Sequence, residues 1–426
     1  MGVLLMPEQH DYFLRINSIR ISGSDIMGEI YLGRLFGIPF RLHWSWFLAL
    51  FLIAWTLASG FFPQSLAEYP VEPPMYWLLG LLAALGLFLS ILLHELGHAY
   101  VAHKYGIPVR SIRLFVFGGV AELGGEPRKP RQEILIALGG PAVTVILILF
   151  FNLCLSLLIT GSSIHWDVST GILKLQEGSL LAAGSAAVLF YLGMINTMVL
   201  IFNLIPAFPL DGGRVLRGIL WAITGNYVSS TRIAGTVGIA FAWFLFIMGF
   251  LSAFQGNLLG GVWLFFLGTF LQNAAQSSIA YAQLRQILPG VRVADMMRHN
   301  PVTLDAGLTL REAVDQFFMS YPYKAYPVIQ EGRYLGMLTL RGLQSIPREE
   351  WDLRRVGESV AQHGEQAVIS PHLPVMQALQ KLAESGNSRL AVVDRGVLVG
   401  LLCSRDVMSL IENRAGLASP DRTSAP

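Results

Sequence analysis

From Arg232 to Arg285 no Asp, Glu, Lys or Arg interrupts the chain, and from Glu133 to Asp167 and from Glu177 to Asp211 there is likewise none. A membrane span needs roughly 20 consecutive apolar residues, so these charge-free intervals leave few architectures open. They predict a first span near residues 43–60, between Arg41 and Glu68, and a second running from beyond Glu72 to about Ala102. One span each falls in 133–167 and 177–211, and 232–285 holds two, broken at Gln255-Gly256-Asn257. Composition agrees: 53% of residues are hydrophobic and 14% charged, against roughly 25% charged in a soluble protein. The expected fold is a polytopic α-helical membrane protein of about six transmembrane helices, with the lipid bilayer as its solvent.

Loop charges test that count. Arg15, Arg20, Arg34 and Arg41 precede span 1, and no Lys or Arg follows it before span 2. Lys104, Arg110, Arg113, Arg128, Lys129 and Arg131 follow span 2; Lys174 alone follows span 3; Arg214, Arg217 and Arg232 follow span 4; none follows span 5. Basic and non-basic loops alternate, and the positive-inside rule then places both termini in the cytosol. The first 30 residues lack the basic start, apolar core and cleavage site of a secretory signal peptide. Cys154 and Cys403 are too few for a disulfide framework. A net charge of +2 without a basic block argues against a nucleic-acid partner.

Within span 2 stand His94-Glu95-Leu96-Gly97-His98. Residues four apart share a helix face, so both imidazoles can grip one metal ion while Glu95 handles protons. Two His and a Glu in lipid are costly unless they line a protein cavity. A pair of polar helix residues satisfied by neighbours is the plainer alternative. A catalytic zinc usually takes a third protein ligand, and Asp211 is the candidate, at the end of span 4 in Asn203-Leu204-Ile205-Pro206-Ala207-Phe208-Pro209-Leu210-Asp211-Gly212-Gly213. Spans 2 and 4 run in the same direction, so the three groups can share one depth. Pro206 and Pro209 interrupt the helix, and broken backbone at membrane depth is tolerated where it lines a cavity or lies buried in protein. A carboxylate at the membrane surface is the commoner role for such an Asp. His43 beside Trp44 reads as an interface anchor. His103, His165, His299, His363 and His372 lack ligand spacing, and Gly139-Gly140 and Gly235/Gly238 read as close helix packing.

The pair HELGH at 94–98 and NLIPAFPLDGG at 203–213, with Phe117-Gly118-Gly119-Val120-Ala121-Glu122 between them, resembles the site-2 protease family of intramembrane metalloproteases. The resemblance covers roughly residues 30–280. It implies that His94, His98 and Asp211 bind one zinc ion per chain, that Glu95 is catalytic, and that Asn203 assists near the substrate carbonyl. It also implies that residues around 115–125 form a membrane-embedded, partly extended piece able to pair with an unwound substrate; a re-entrant loop without a substrate role is the alternative. A helical substrate hides its carbonyls in i→i−4 bonds, so unwinding must precede attack.

Residues 291–412 contain an internal repeat. Val302-Thr303-Leu304 and Leu310-Arg311-Glu312-Ala313-Val314 have counterparts in Ala367-Val368-Ile369 and Val375-Met376-Gln377-Ala378-Leu379. Each half continues with a strand (325–329; 390–394), a turn and a second strand (334–339; 398–403), making a small α/β unit. The repeat resembles a tandem pair of CBS modules, which implies an adenine-nucleotide cleft. The family's strand-end signature pairs Thr or Ser with an Asp three residues on. This chain has Thr339 with Gly342 and Cys403 with Asp406. Neither copy is complete, so a regulatory or dimerising module, able to form a homodimer, is the first reading and a nucleotide sensor the second. The expected layout is a cytosolic segment 1–37, a membrane metalloprotease domain 38–285, CBS modules 291–346 and 353–412, and a disordered tail 413–426. The function expected is zinc-dependent cleavage of membrane-spanning protein substrates near the cytosolic face of a prokaryotic inner membrane. The rival is a CBS-regulated transporter or channel, which would spread polar residues along several spans.

Overall fold

The computed structural model describes residues 29–407 and 409, except 36, 68, 117, 161–163, 168–171, 176–179, 289, 364–367, 386 and 387. Most of the expected cytosolic N-terminal segment and the tail 413–426 lie outside the described residues. The chain divides into two units, one of residues 26–282 and one holding 283–426.

The first unit has six helices long and apolar enough to cross a membrane. They are α1 (Ser45–Ser65), α2 (Pro73–Lys104), α3 (Pro130–Thr160), α4 (Leu180–Asn203), α6 (Tyr227–Phe254) and α7 (Leu258–Ile287), and the protein is a multi-pass membrane protein. The break between α6 and α7 falls at 255–257. Their outer faces carry Leu149, Leu157, Phe250 and Phe254, all more than half exposed, as apolar side chains in contact with lipid would be.

Small residues bring the central helices together. A Cβ on Gly97 of α2 would run into the backbone of Gly139 on α3, and one on Gly139 into Gly97. This is the close approach by which helices pack where no hydrophobic effect separates them from solvent. Ala83, Ala183, Ala186 and Ala187 are fully buried with Phe62 and Leu66 where α1, α2 and α4 meet.

Span 4 does not end at Asp211. Helix α4 stops at Asn203, residues 204–210 are irregular, and Asp211 opens a separate helix, α5 (Asp211–Thr224). Pro206 and Pro209 break the helix, since Pro lacks the N–H and clashes with the preceding turn. The prolines mark this break in the sequence, but the charge pattern gives no sign of the helix that restarts at Asp211. The turn is tightly nested: any Cβ on Gly212 or Gly213 would collide with the backbone of Leu204, Ala207 or Phe208.

Beside the helices lies a four-stranded sheet in the order β1 (Glu29–Leu35), β2 (Ile38–His43), β3 (Val109–Phe115), β4 (Gly118–Leu123). Strands β2 and β3 are parallel and the other pairs antiparallel. Leu42, Ile112 and Leu114 are buried. Along the sheet Glu29 pairs with Arg41 at 3.1 Å and Arg113 at 3.3 Å, and Arg113 with Glu122 at 3.3 Å. Strand β1 lies wholly before the boundary drawn at residue 38, yet it pairs with β2 and belongs with the membrane unit. A two-stranded hairpin, β5 (Ile164–Asp167) and β6 (Ile172–Leu175), follows α3.

The second unit is one mixed sheet built from the two repeats. Its order is β11 (Val368–Ile369), β12 (Arg389–Asp394), β13 (Val397–Cys403), β10 (Arg333–Thr339), β9 (Ala325–Gln330), β8 (Leu304–Asp305), with β7 (Arg298–His299) on β13. Each half pairs a short strand in parallel with the first arm of a hairpin, β8 on β9 and β11 on β12. Helices α8 (Leu310–Ala313), α9 (Leu340–Gln344), α10 (Val356–His363) and α11 (Val375–Ser385) complete the halves. Each half has its own core, one around Tyr326, Val328 and Val356, the other around Leu390, Val392 and Leu402. Thr309 and Glu312 form a capping box at the start of α8. The two hydrogen bonds from Thr309, through its N–H and its hydroxyl, hold the Glu312 carboxyl below its ordinary range.

Candidate metal centre

Helix α2 places His94 and His98 one turn apart on its buried face, each 5% exposed. Asp211, at the first turn of α5, is 8% exposed. Its Oδ2 lies 3.1 Å from His94 Nε2 and 3.2 Å from His98 Nε2, and the two Nε2 atoms are 3.1 Å apart. Among the described residues this is the group of His, Cys, Asp and Glu side chains able to hold a metal ion.

The other ring nitrogens decide what these three atoms are. His98 Nδ1 lies 2.7 Å from the Ile136 carbonyl oxygen, which can only accept, so Nδ1–H donates. That short contact outweighs the 3.3 Å approach of the Gly140 N–H to the same nitrogen. His94 Nδ1 lies 2.8 Å from Thr144 Oγ1, whose own hydroxyl points to the Gly140 carbonyl at 3.4 Å. The hydroxyl thus accepts from Nδ1–H. Both imidazoles then present bare Nε2 lone pairs. With the carboxylate, three acceptors face one another, which is repulsive unless a cation lies among them. Donors bound to one tetrahedral zinc at 2.0–2.2 Å would stand about 3.3–3.6 Å apart. The observed separations of 3.1–3.2 Å fall just short of that range, so a small outward shift of the three groups lets the donor set take a zinc ion with a coordination position left for water or substrate.

The glycines that the sequence marks as packing residues serve this geometry. A Cβ on Gly140 would strike the Nε2 atoms of both His98 and His94. Glu95, half-buried beside the pair, accepts the Ala121 N–H through Oε2 at 3.0 Å. Ala121 lies on β4, an edge strand among the described residues, and its N–H points away from β3. The unpaired edge of the sheet therefore faces Glu95. Gly119 permits this approach, since its Cβ would lie 2.7 Å from Glu95 Cγ.

These groups line one cavity of about 680 Å³, together with Ser90, Asn196, Asn203, Phe270 and Arg214. The structure thus brings His94, Glu95, His98, Asn203 and Asp211 around a single space. His43 stands apart from it, bonded to Ser45 Oγ at 2.8 Å. His103 takes no part in the ligand group, while the side chains of His165 and His363 lie outside the described residues. Sequence reasoning missed Thr144, whose partner is 50 positions away, and Asn196, which is buried and donates to Ser90 Oγ at 3.2 Å. It missed Glu133, Arg214 and Arg217 as well. Only their place inside or beside apolar spans could have flagged them.

Comparison with known proteins gives the same direction. The description of Peptidase family M50 matches residues 82–246, and CBS domains match 293–346 and 365–413. A Synechocystis sp. protein, sll0528, named as a zinc metalloprotease, is 35% identical over 93% of this chain and 99% of its own. The zinc metalloprotease MJ0392 of Methanocaldococcus jannaschii is 30% identical over 90% of this chain and 97% of its own. A solved site-2 protease from Methanocaldococcus jannaschii, 30% identical, covers 59% of this chain and 95% of that one with a TM-score of 0.39. With an HExxH helix, a facing Asp-Gly-Gly turn and relatives matching it nearly end to end, the chain belongs to the site-2 proteases of peptidase family M50, zinc metallopeptidases, in the form that carries a CBS pair.

Proposed function

We propose that this protein is an intramembrane endopeptidase that hydrolyses peptide bonds of membrane-spanning protein substrates near the cytosolic face, as in regulated intramembrane proteolysis. The observation that carries the reading is the convergence of His94, His98 and Asp211 inside a cavity flanked by the free edge of β4. His94, His98 and Asp211 would hold the zinc. Zinc bound there supplies Lewis acidity, which acidifies water and polarises a carbonyl. Glu95 takes the proton of the attacking water and returns it to the leaving amine nitrogen. The Ala121 N–H fixes one carboxylate oxygen and leaves the other for that transfer. Asn203 donates a hydrogen bond to the oxygen that gains charge during attack. The unwound substrate adds as a strand to β4, whose outward groups replace the helical bonds it has lost.

The membrane domain on this reading spans 38–285 with β1 added to its sheet, and the modules span 291–346 and 353–412. Both termini are cytosolic, in a prokaryotic inner membrane. The CBS pair tunes activity or joins two copies rather than sensing adenine nucleotide. The observation behind that choice is Asp406, which is held by Arg298 through two bonds of 2.8 and 2.6 Å, while position 342 offers no carboxylate.

Purified full-length protein is expected to carry about one zinc per chain. Glu95→Gln should keep that zinc and lose cleavage of a co-expressed single-span substrate. Normal cleavage by this variant removes Glu95 from the mechanism. Asp211→Ala should lower zinc content; unchanged zinc means another third ligand.

A further inference from the structure

Helix α5 carries Asp211, Arg214 and Arg217 at intervals of three, and opposite them on α3 stands Glu133, fully buried. A buried carboxylate is costly unless paired, and here both arginines pair with it. Arg217 Nη2 lies 2.5 Å from Glu133 Oε1 and Arg214 Nε lies 3.3 Å from the same oxygen. Arg217 is itself sandwiched, its guanidinium carbon 4.7 Å from the Phe208 ring centre and 5.2 Å from that of Tyr227. Arg214 differs from Arg217 in lining the cavity, and its Nη1 lies 3.8 Å from Asp211 Oδ1. Oδ1 is the carboxylate oxygen that the imidazoles do not use.

We propose that Arg214, anchored by Glu133, is a positioning residue that holds the Asp211 carboxylate through Oδ1, so that Oδ2 alone is presented to His94 and His98. The proposal rests on the reading of Asp211 as third zinc ligand. Asp211 is at the start of its helix, next to a broken segment, and while the imidazoles face its Oδ2, the guanidinium of Arg214 faces its Oδ1. Glu133 supplies the fixed point on a different helix, with its bond to Arg214 linking α3 to α5. Orienting partners of this kind set metal affinity by about 10–100-fold.

Charge alone predicts the opposite. A guanidinium beside a ligand carboxylate competes with a divalent cation for it, so removing the arginine would tighten zinc binding if electrostatics governed.

The test uses the full-length protein in detergent, with zinc affinity measured by chelator competition and the visible spectrum recorded after cobalt substitution. Arg214→Met should weaken zinc binding about 10–100-fold and alter the cobalt bands, which report ligand number and geometry. Arg214→Lys should recover part of the affinity. Affinity equal to or tighter than wild type in the Met variant overturns the proposal. So does reduced occupancy with wild-type cobalt bands, which marks a merely structural role. Should the Met variant fail to fold, the Lys variant decides: weaker binding with altered bands supports positioning, and wild-type values overturn it. Asp211→Ala separates the two levels. If that variant binds zinc normally, the ligand assignment fails; if it loses zinc while Arg214→Met does not, only the positioning role fails.

Discussion

An imidazole offers a metal one nitrogen only when the other is kept protonated, and at this site two different groups do that keeping. Ile136 does it with a helix carbonyl and Thr144 with a hydroxyl. The carbonyl cannot be removed by substitution, but the hydroxyl can. Thr144→Val keeps the shape and leaves His94 Nδ1–H buried without a partner, a loss that costs about 1–3 kcal/mol. Zinc affinity is expected to fall about 10–100-fold, read by chelator competition, with Glu95 untouched. An unchanged affinity would mean that His94 is oriented by packing alone. Helical spacing in the sequence marks His94 and His98 as a pair, and the place of Asp211 at the end of span 4 makes it the candidate that the structure brings beside them. Thr144 could not be read this way, since a Thr in an apolar helix has many innocuous roles.

At the scale of elements, His94 and His98 sit on one helix, Asp211 on the next-but-two, and Glu95, the proposed base, is backed by a strand. Strand β4 is the piece whose role the residue types alone leave open between a strand and a loop. Its register with β3 runs from Phe115↔Gly118 to Val109↔Leu123, and that pairing turns the Ala121 N–H outward to Glu95. Ala121→Pro removes the donor, and an edge strand tolerates proline better than a central one. Cleavage is expected to drop about 10–100-fold, the value of one hydrogen bond to a charged group, with zinc content unchanged as measured by metal analysis. Wild-type cleavage would show that this edge neither orients Glu95 nor receives substrate. Helix α5 is the other element the charge pattern conceals, because its two arginines turn to a buried Glu133 rather than to water.

Across the whole molecule, the alternation of basic loops makes a prediction about sidedness. Single cysteines introduced at positions 106 or 225 should react with a membrane-impermeant reagent only from the cytosolic side, and cysteines at 72 or 256 only from the opposite side. Reaction of 106 and 256 from the same face would break the six-span arrangement. The C-terminal unit stands on two hydrophobic cores of its own, one per repeat.

Hydropathy and charge settled the number of spans, the break at 255–257, the doubled C-terminal module and the identity of the HExxH helix. Each follows from a local pattern: solvent decides where charges can sit, and helical period decides which residues share a face. Three things lay beyond it. One is the new helix that opens at Asp211 past the proline-broken segment, which makes Asp211 an N-terminal rather than a C-terminal residue. Another is the approach of Gly140 and Thr144 to the imidazoles, and the last is the pairing of Glu133 with Arg214 and Arg217. The last two depend on contacts between segments tens of residues apart, where a glycine or a carboxylate has no preferred partner until packing supplies one.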